Sequence, residues 1–262
     1  MSSNSAQNKD AERAFFDGLA ETGESFKPKA EEAYSVILKT LDLDRDLTGM
    51  HIFEAGCASG EFGARLAERG ATVVGVDLSE GMIALNQRLN ANVAGYSSKT
   101  GDLEDAALFE PDSFDAVICF NVLHHFPDCG RVIDNFSHWL KPGGEVYCEE
   151  PNGGNPTNRI SKAGRGIVNT LFPHILHDKK LSSENEERDY SMSEYEALFG
   201  ARGFECSFKT SVGSPGKLPR LHGFTLSTPI SIVKWSLYRM TALLSDDPVV
   251  IGNDLVFKMS HR

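Results

Sequence analysis

The chain lacks any Cys-x-x-Cys pair, and its five cysteines, Cys57, Cys119, Cys129, Cys148 and Cys206, are odd in number and lie mostly within apolar stretches. That argues against a disulfide framework, and no Cys/His group has metal-ligand spacing. The thiols read as reduced and structural, and no metal is expected. No apolar run approaches the roughly 18 residues that suggest a membrane-crossing helix. Met1 to Asp10 has no charged-then-apolar order of the kind a secretory signal shows. The cytoplasm is therefore the expected location. Basic residues are scarce, with 26 Lys and Arg against 37 Asp and Glu and a net charge of −11. Such a balance argues against sequence-independent contact with nucleic-acid phosphates, which needs a basic face. Internal repeats and low-complexity segments are also missing.

What is present suits a folded domain: of 262 residues, 40% are hydrophobic and 24% charged. Residues 1–10 read as a polar tail, and from Glu31 to Leu41 the apolar positions Tyr34, Ile37, Leu38 and Leu41 recur at helical spacing. The run His51 to Ala55 predicts a strand, followed by a glycine turn, a helix reaching Gly70, and a second strand from Ala71 to Val76 closed by Asp77. Strand, turn, helix, strand is a βαβ unit, the building block of parallel sheets. The alternation continues with a helix over 80–89, strands over 93–99 and 114–120, a helix over 131–140 and a strand over 144–149. A doubly wound α/β domain with a Rossmann-like, mostly parallel sheet is the expected fold.

Between Pro151 and Tyr190 the pattern breaks into Asn-, Gly- and Pro-rich sequence with a helical patch near Ile167 to Leu171, which reads as an inserted lid region. A helix beginning near Ser193 follows, with a capping box expected between Ser193 and Glu196. Strands are expected over 204–210 and 249–259. Between them Val233, Leu237, Met240 and Leu244 share one helical face after Pro229, either as core or interface or as a lid over a hydrophobic substrate. The division that results is an N-terminal helical or lid segment (1–48), a Rossmann-like core (49–150), an insertion (151–192) and a C-terminal part of the core (193–262) with an apolar helix near 229–245.

A glycine turn between strand and helix lets backbone N–H groups approach a ligand, because glycine has no Cβ and tolerates positive φ. Here it reads Glu54-Ala55-Gly56-Cys57-Ala58-Ser59-Gly60, and about twenty residues on, Asp77 ends the second strand, where a carboxylate can accept hydrogen bonds from a ribose. The dinucleotide fingerprint would want a third glycine at Glu61, which argues against a nicotinamide cofactor.

The set formed by this turn, Val76-Asp77-Leu78-Ser79, Gly101-Asp102-Leu103, Phe114-Asp115-Ala116-Val117 and Leu140-Lys141-Pro142-Gly143-Gly144 resembles the class I S-adenosylmethionine-dependent methyltransferases over about residues 50 to 150. Val122-Leu123-His124-His125 is similar to a motif of that family's small-molecule group. The resemblance implies a seven-stranded sheet of the methyltransferase type and S-adenosyl-L-methionine as cofactor. It also implies that Gly56 and Gly60 pass close to the methionine and ribose parts, that Asp77 holds the ribose hydroxyls, and that Asp102 with Leu103 contacts adenine. Asn121 would line the methionine side by its backbone, and Glu54 and Leu78 complete the donor-binding set. Ala58 stands where many members have a glycine.

His124 and His125 are candidate bases, since imidazole titrates near neutrality. The alternative is loop structure with one ring buried. As neighbours they are expected to point in different directions, which disfavours a shared metal. Glu149 and Glu150, at the end of the fifth strand, are either bases or solvated edge residues. His174, His177 and Tyr190 either face substrate or lie on the surface. Cys119-Phe120-Asn121-Val122 departs from the Asn/Asp-Pro-Pro-aromatic pattern of methyltransferases acting on planar amino groups. The expected function is methyl transfer to a small-molecule acceptor, hydrophobic or aromatic in one reading, in the order oxygen, carbon, nitrogen. The rival readings are a non-catalytic donor-binding regulatory module and a different group transferase on the same fold.

Overall fold

The computed structural model describes residues 8–22, 31–155, 187–212 and 254–262. Seven strands form one sheet in the order β3-β2-β1-β4-β5-β7-β6: β1 (His51–Ala55), β2 (Thr72–Asp77), β3 (Tyr96–Thr100), β4 (Phe114–Phe120), β5 (Leu140–Pro151), β6 (Phe204–Val212) and β7 (Asp254–His261). The first five run parallel, and β7 is antiparallel to both β5 and β6. Among the described residues the α-helices are α1 (Lys9–Thr22), α2 (Glu31–Thr40), α3 (Glu61–Ala67), α4 (Glu80–Leu89), α5 (Gly130–Trp139) and α6 (Met192–Gly200). The doubly wound α/β expectation therefore holds.

The central strands are apolar on both faces because helices cover both. On one side Ile52, Val73, Ala116 and Ile118 pack with Leu66 of α3 and with Ile37, Leu38 and Leu41, the stripe read from the sequence. On the other, Val132, Ile133, Phe136 and Trp139 of α5 are fully buried against β4 and β5. Edge-to-face contacts of Phe53 with Phe109 and Trp139, at 5.0 and 5.5 Å, join that helix to β1. Each such side chain contributes about 2 kcal/mol by leaving water. The polar atom of Trp139 is also satisfied, donating from Nε1 to the Ala106 carbonyl at 3.2 Å.

Four expectations change. Residues 9 and 10 belong to α1 rather than to a tail, and α1 as a whole was not expected. The third strand begins at Tyr96, after a turn at Asn90–Val93 and Gly95 in the left-handed region at φ +82°. The capping box of α6 is Ser191 with Glu194, not Ser193 with Glu196: Ser191 Oγ accepts from the Glu194 amide and Glu194 Oε2 accepts from the Ser191 amide at 2.8 Å. The helix starts one residue earlier than the pattern suggested, and the reciprocal bond moves with it. The segments 167–171, 229–245 and 249–253, with His174 and His177, lie outside the described residues.

Candidate active site

β1 and β4 are neighbours whose following helices cover opposite faces, so the sheet changes winding direction between them. Ligands bind at such a switch point, beyond the carboxyl ends of the strands. β1 runs into Gly56, at φ +60°, where an added Cβ would lie 2.5 Å from Val122 Cγ2. Glycine is required there because the turn packs directly on the loop after β4. Ala58 follows in the left-handed region at φ +41°. Its amide donates to Asp77 Oδ2 at 2.9 Å, and the Ser79 amide donates to Oδ1 at 3.0 Å. The Asp77 carboxylate thus ties the ends of β1 and β2 together, and burial pushes its pKa up against those two hydrogen bonds.

Glu54 is 5% exposed and works inside the fold. Its carboxylate accepts from the Gly63 amide of α3 at 2.9 Å and from the Tyr96 hydroxyl of β3 at 3.0 Å. Burial raises its pKa to about 7, more than these hydrogen bonds lower it. A carboxyl with a folded pKa above its unfolded value binds its proton more tightly when folded. The stability it lends is full at acid pH and is lost as pH rises from about 4.5 to about 7. Glu54→Gln is accordingly expected to be the more stable protein at roughly pH 8, by on the order of 3 kcal/mol, with the gap closing by roughly pH 4.5. Urea denaturation across that range measures it, and a gap independent of pH would contradict the assignment.

The loop after β4 is wound around a second buried carboxylate. Asn121 adopts φ +58°, and its amide donates to the Glu149 carbonyl at 2.6 Å. Glu150, fully buried at the end of β5, accepts the Val122 and Leu123 amides on Oε1, both at 2.8 Å. Its Oε2 accepts the His124 amide at 3.3 Å and lies 2.9 Å from His124 Nδ1. Burial pulls the His124 pKa down, but the Glu150 hydrogen bond and charge outweigh it, and the result is raised. From the far side, Arg188 donates its amide to the His124 carbonyl at 2.8 Å, and Tyr190 Oη donates to the Phe126 and Pro127 carbonyls at 2.9 and 3.0 Å.

Two alternatives left open by the sequence close here. Glu149 and Glu150 are buried, not solvated edge residues, because the two strands beside β5 leave no edge. Tyr190 is 1% exposed and braces the loop, so it is neither a surface residue nor part of the cavity wall. The histidine rings do not diverge: a 3-10 turn over Leu123–His125 brings them to 4.2 Å between centroids, tilted by 35°. Among the described residues no group of His, Cys, Asp and Glu is arranged to hold a metal. The described cysteines carry no disulfide, and Cys57, Cys119, Cys129 and Cys148 are buried, as expected of structural thiols.

Above the strand ends lies a cavity of about 360 Å³, within the range of small-ligand sites. Gly56, Ala58, Asp77, Leu78, Asp102, Leu103 and Asn121 line it, together with Phe120, Val122, His124, His125 and Phe126. Glu54 and Gly60 stand outside its wall. Glu54 faces α3, and at Gly60, φ +78°, an added Cβ would meet Asn86, Asn90 and Tyr96 within 2.8 Å. Val76 and Gly101 also line it, as do Glu12 and Phe16 of α1. The α1 pair had no counterpart in the sequence reading, although Ala11, Phe15 and Leu19 recur at a spacing of four within 9–22. α1 is held at both ends. Lys9 Nζ lies 2.5 Å from Asp102 and 2.6 Å from Glu104, and Asp17 Oδ1 accepts from Ser79 Oγ at 2.5 Å and from the Gly81 amide at 2.9 Å.

Among the described residues the lining holds the carboxylates of Glu12, Asp77 and Asp102 and no lysine or arginine. Glu61 opens α3, so the helix end nearest the glycine turn carries a negative charge. This environment disfavours a pyrophosphate and suits a cationic ligand. A sulfonium donor with an ammonium group, a ribose and a flat base fits that charge and the apolar walls.

Fold, switch-point cavity and charge together define a methyltransferase of the Rossmann-like type. Residues 53–148 match the family described as a methyltransferase domain. A ubiquinone biosynthesis O-methyltransferase of Pseudomonas fluorescens (strain SBW25) is 31% identical over 176 residues, 65% of this chain and 75% of that one. Its counterpart in Pseudomonas syringae pv. tomato (strain ATCC BAA-871 / DC3000) is similar to the same extent. Among solved structures, magnesium protoporphyrin IX methyltransferase from Synechocystis PCC 6803 with bound SAH superposes with a TM-score of 0.65 at 16% identity, covering 97% of this chain and 100% of that one. The chain belongs to the class I S-adenosylmethionine-dependent methyltransferases, and its cofactor is S-adenosylmethionine.

Proposed function

We propose that the protein methylates a hydroxyl of a small, largely apolar or aromatic acceptor, with His125 as general base. The observation that carries this reading is the His124–His125 pair in the cavity wall, beside the apolar side chains of Phe16, Phe120, Val122 and Phe126. The donor supplies an activated methyl group on sulfur. The protein's task is to hold the acceptor in line with that methyl at about 3 Å, keep water out, and take the proton a hydroxyl loses. Among the titratable groups of the wall, Asp77 is engaged by two amides and His124 by Glu150. His125, whose Nδ1 lies 2.9 Å from Glu12 Oε1, is the imidazole assigned to the acceptor. The names of relatives also support oxygen, since the Pseudomonas proteins to which this chain is similar are O-methyltransferases.

Within the donor half, Asp77 receives the ribose hydroxyls, Asp102 and Leu103 border the adenine, and Gly56, Leu78 and Asn121 border the remainder. Glu54 and Gly60 support this half indirectly, by fixing α3, β3 and α4 around the turn. The N-terminal segment 1–48 acts as a cover through α1, and residues 151–192 and 229–245 are the regions proposed to select the acceptor. The test is transfer of labelled methyl to a panel of phenols, amines and carbon acids matched in size. Phenols are expected to be methylated, and His125→Ala is expected to remove most of that transfer. Transfer to the amines alone, or donor binding without transfer to any acceptor that an extract provides, would overturn the reading.

A further inference from the structure

α1 has an amphipathic sequence, yet the fully buried residue within it is not apolar: it is Glu12, 4% exposed. Burying a carboxylate is costly unless a partner compensates it. Glu12 Oε1 lies 2.9 Å from Nδ1 of His125, and one helical turn on, Phe16 meets the same imidazole edge to face at 5.7 Å. Both residues belong to the cavity wall. The same helix is pinned at Asp102 and Glu104 by Lys9 and at the start of α4 by Asp17, so the height of Glu12 over the cavity is set on both sides of it.

We propose that Glu12 is a positioning residue for His125, and that α1 thereby completes the reacting end of the cavity as well as covering the donor. This rests on the reading of His125 as base. A carboxylate beside Nδ1 keeps the proton on that nitrogen, which places the basic lone pair on Nε2, and it stabilises the imidazolium formed once Nε2 has taken the acceptor's proton. His124 is kept separate from this role by Glu150. The charged and titratable groups around His125 are Glu12 from α1, Asp77 from β2 and the neighbouring His124, and of these Glu12 is the carboxylate in ion-pair contact, Oε1 2.9 Å from Nδ1.

The experiment compares the full-length wild type with Glu12→Gln, Glu12→Ala, His125→Ala and the double variant. Three quantities are read: kcat for methyl transfer, donor affinity by calorimetry, and the tautomer of His125 by nitrogen NMR on the donor-free protein. Glu12→Ala is expected to lower kcat by about 10- to 100-fold, to change donor affinity by less than roughly threefold, and to shift neutral His125 away from the Nδ1–H tautomer. Glu12→Gln preserves shape and tests the charge alone, so it covers the case in which the alanine variant does not fold. In the double variant the loss is expected to match that of His125→Ala, because the two residues act as a unit. Unchanged kcat in His125→Ala would sink the base reading itself. A large loss in His125→Ala with normal kcat and an unaltered tautomer in both Glu12 variants would overturn this proposal alone. Weakened donor binding with an unaltered tautomer would likewise overturn it, reducing Glu12 to part of a lid.

Discussion

Asp77→Ala is expected to weaken binding of S-adenosylmethionine by about 100-fold or more, the largest effect of any single change in the donor half of the cavity. Two losses combine. The proposed ribose hydrogen bonds to a carboxylate are worth roughly 1.5–3 kcal/mol each, and the amides of Ala58 and Ser79 lose their acceptor at the same time. The glycine turn then keeps only the bond from the Cys57 amide to the Val76 carbonyl among these ties to β2. Asp77→Asn retains one carbonyl oxygen and is expected to fall between wild type and alanine. Calorimetry with the donor and with its demethylated product measures both, and affinity within about threefold of wild type for Asp77→Ala would remove Asp77 from the donor site.

The second large effect concerns stability. Glu150→Ala removes the acceptor of four donors, the amides of Val122, Leu123 and His124 and the His124 ring, all in a buried loop. Leaving such groups unsatisfied costs about 3–5 kcal/mol, or roughly 10 °C in Tm for a chain of this size. Glu150→Gln keeps one carbonyl oxygen for the Val122 and Leu123 amides and is expected to lose about a third of that. Activity should fall with both, because the loop carries His125. Thermal and urea unfolding give the order of the three proteins. Equal stability of wild type and Glu150→Ala would show that the loop does not depend on this carboxylate.

Much of the parallel part of the sheet is legible in the sequence because β1, β2 and β4 are short, apolar and followed by turn residues. His51–Ala55 and Phe114–Phe120 need no revision. β3 was placed less well because Tyr-Ser-Ser-Lys-Thr has little apolar content; it is half covered at the sheet edge and held by pairing with β2. The donor-side residues were readable as a linked set, since a glycine turn and an acid at the next strand's end have fixed relations to the chain. Roles that depend on long-range packing were not. Nothing in the spacing of Glu54 says that its carboxylate turns toward α3 and β3 rather than the cavity. Nothing local marks Glu150 as the centre of a loop twenty-eight residues earlier, a separation given by its bond to Val122. α1 is not marked by its pattern alone because its buried residue is a charge, which a hydrophobic pattern cannot register.

The central claim is that this cavity presents an S-adenosylmethionine methyl group to a small hydroxyl-bearing acceptor. Incubation of an extract with the protein and trideuteromethyl donor, followed by mass spectrometry, tests it most directly. The account predicts a low-molecular-weight compound that gains one trideuteromethyl group on oxygen, with the signal lost in Asp77→Ala. Label found on protein or nucleic acid instead, or on no molecule while the donor binds normally, would contradict it.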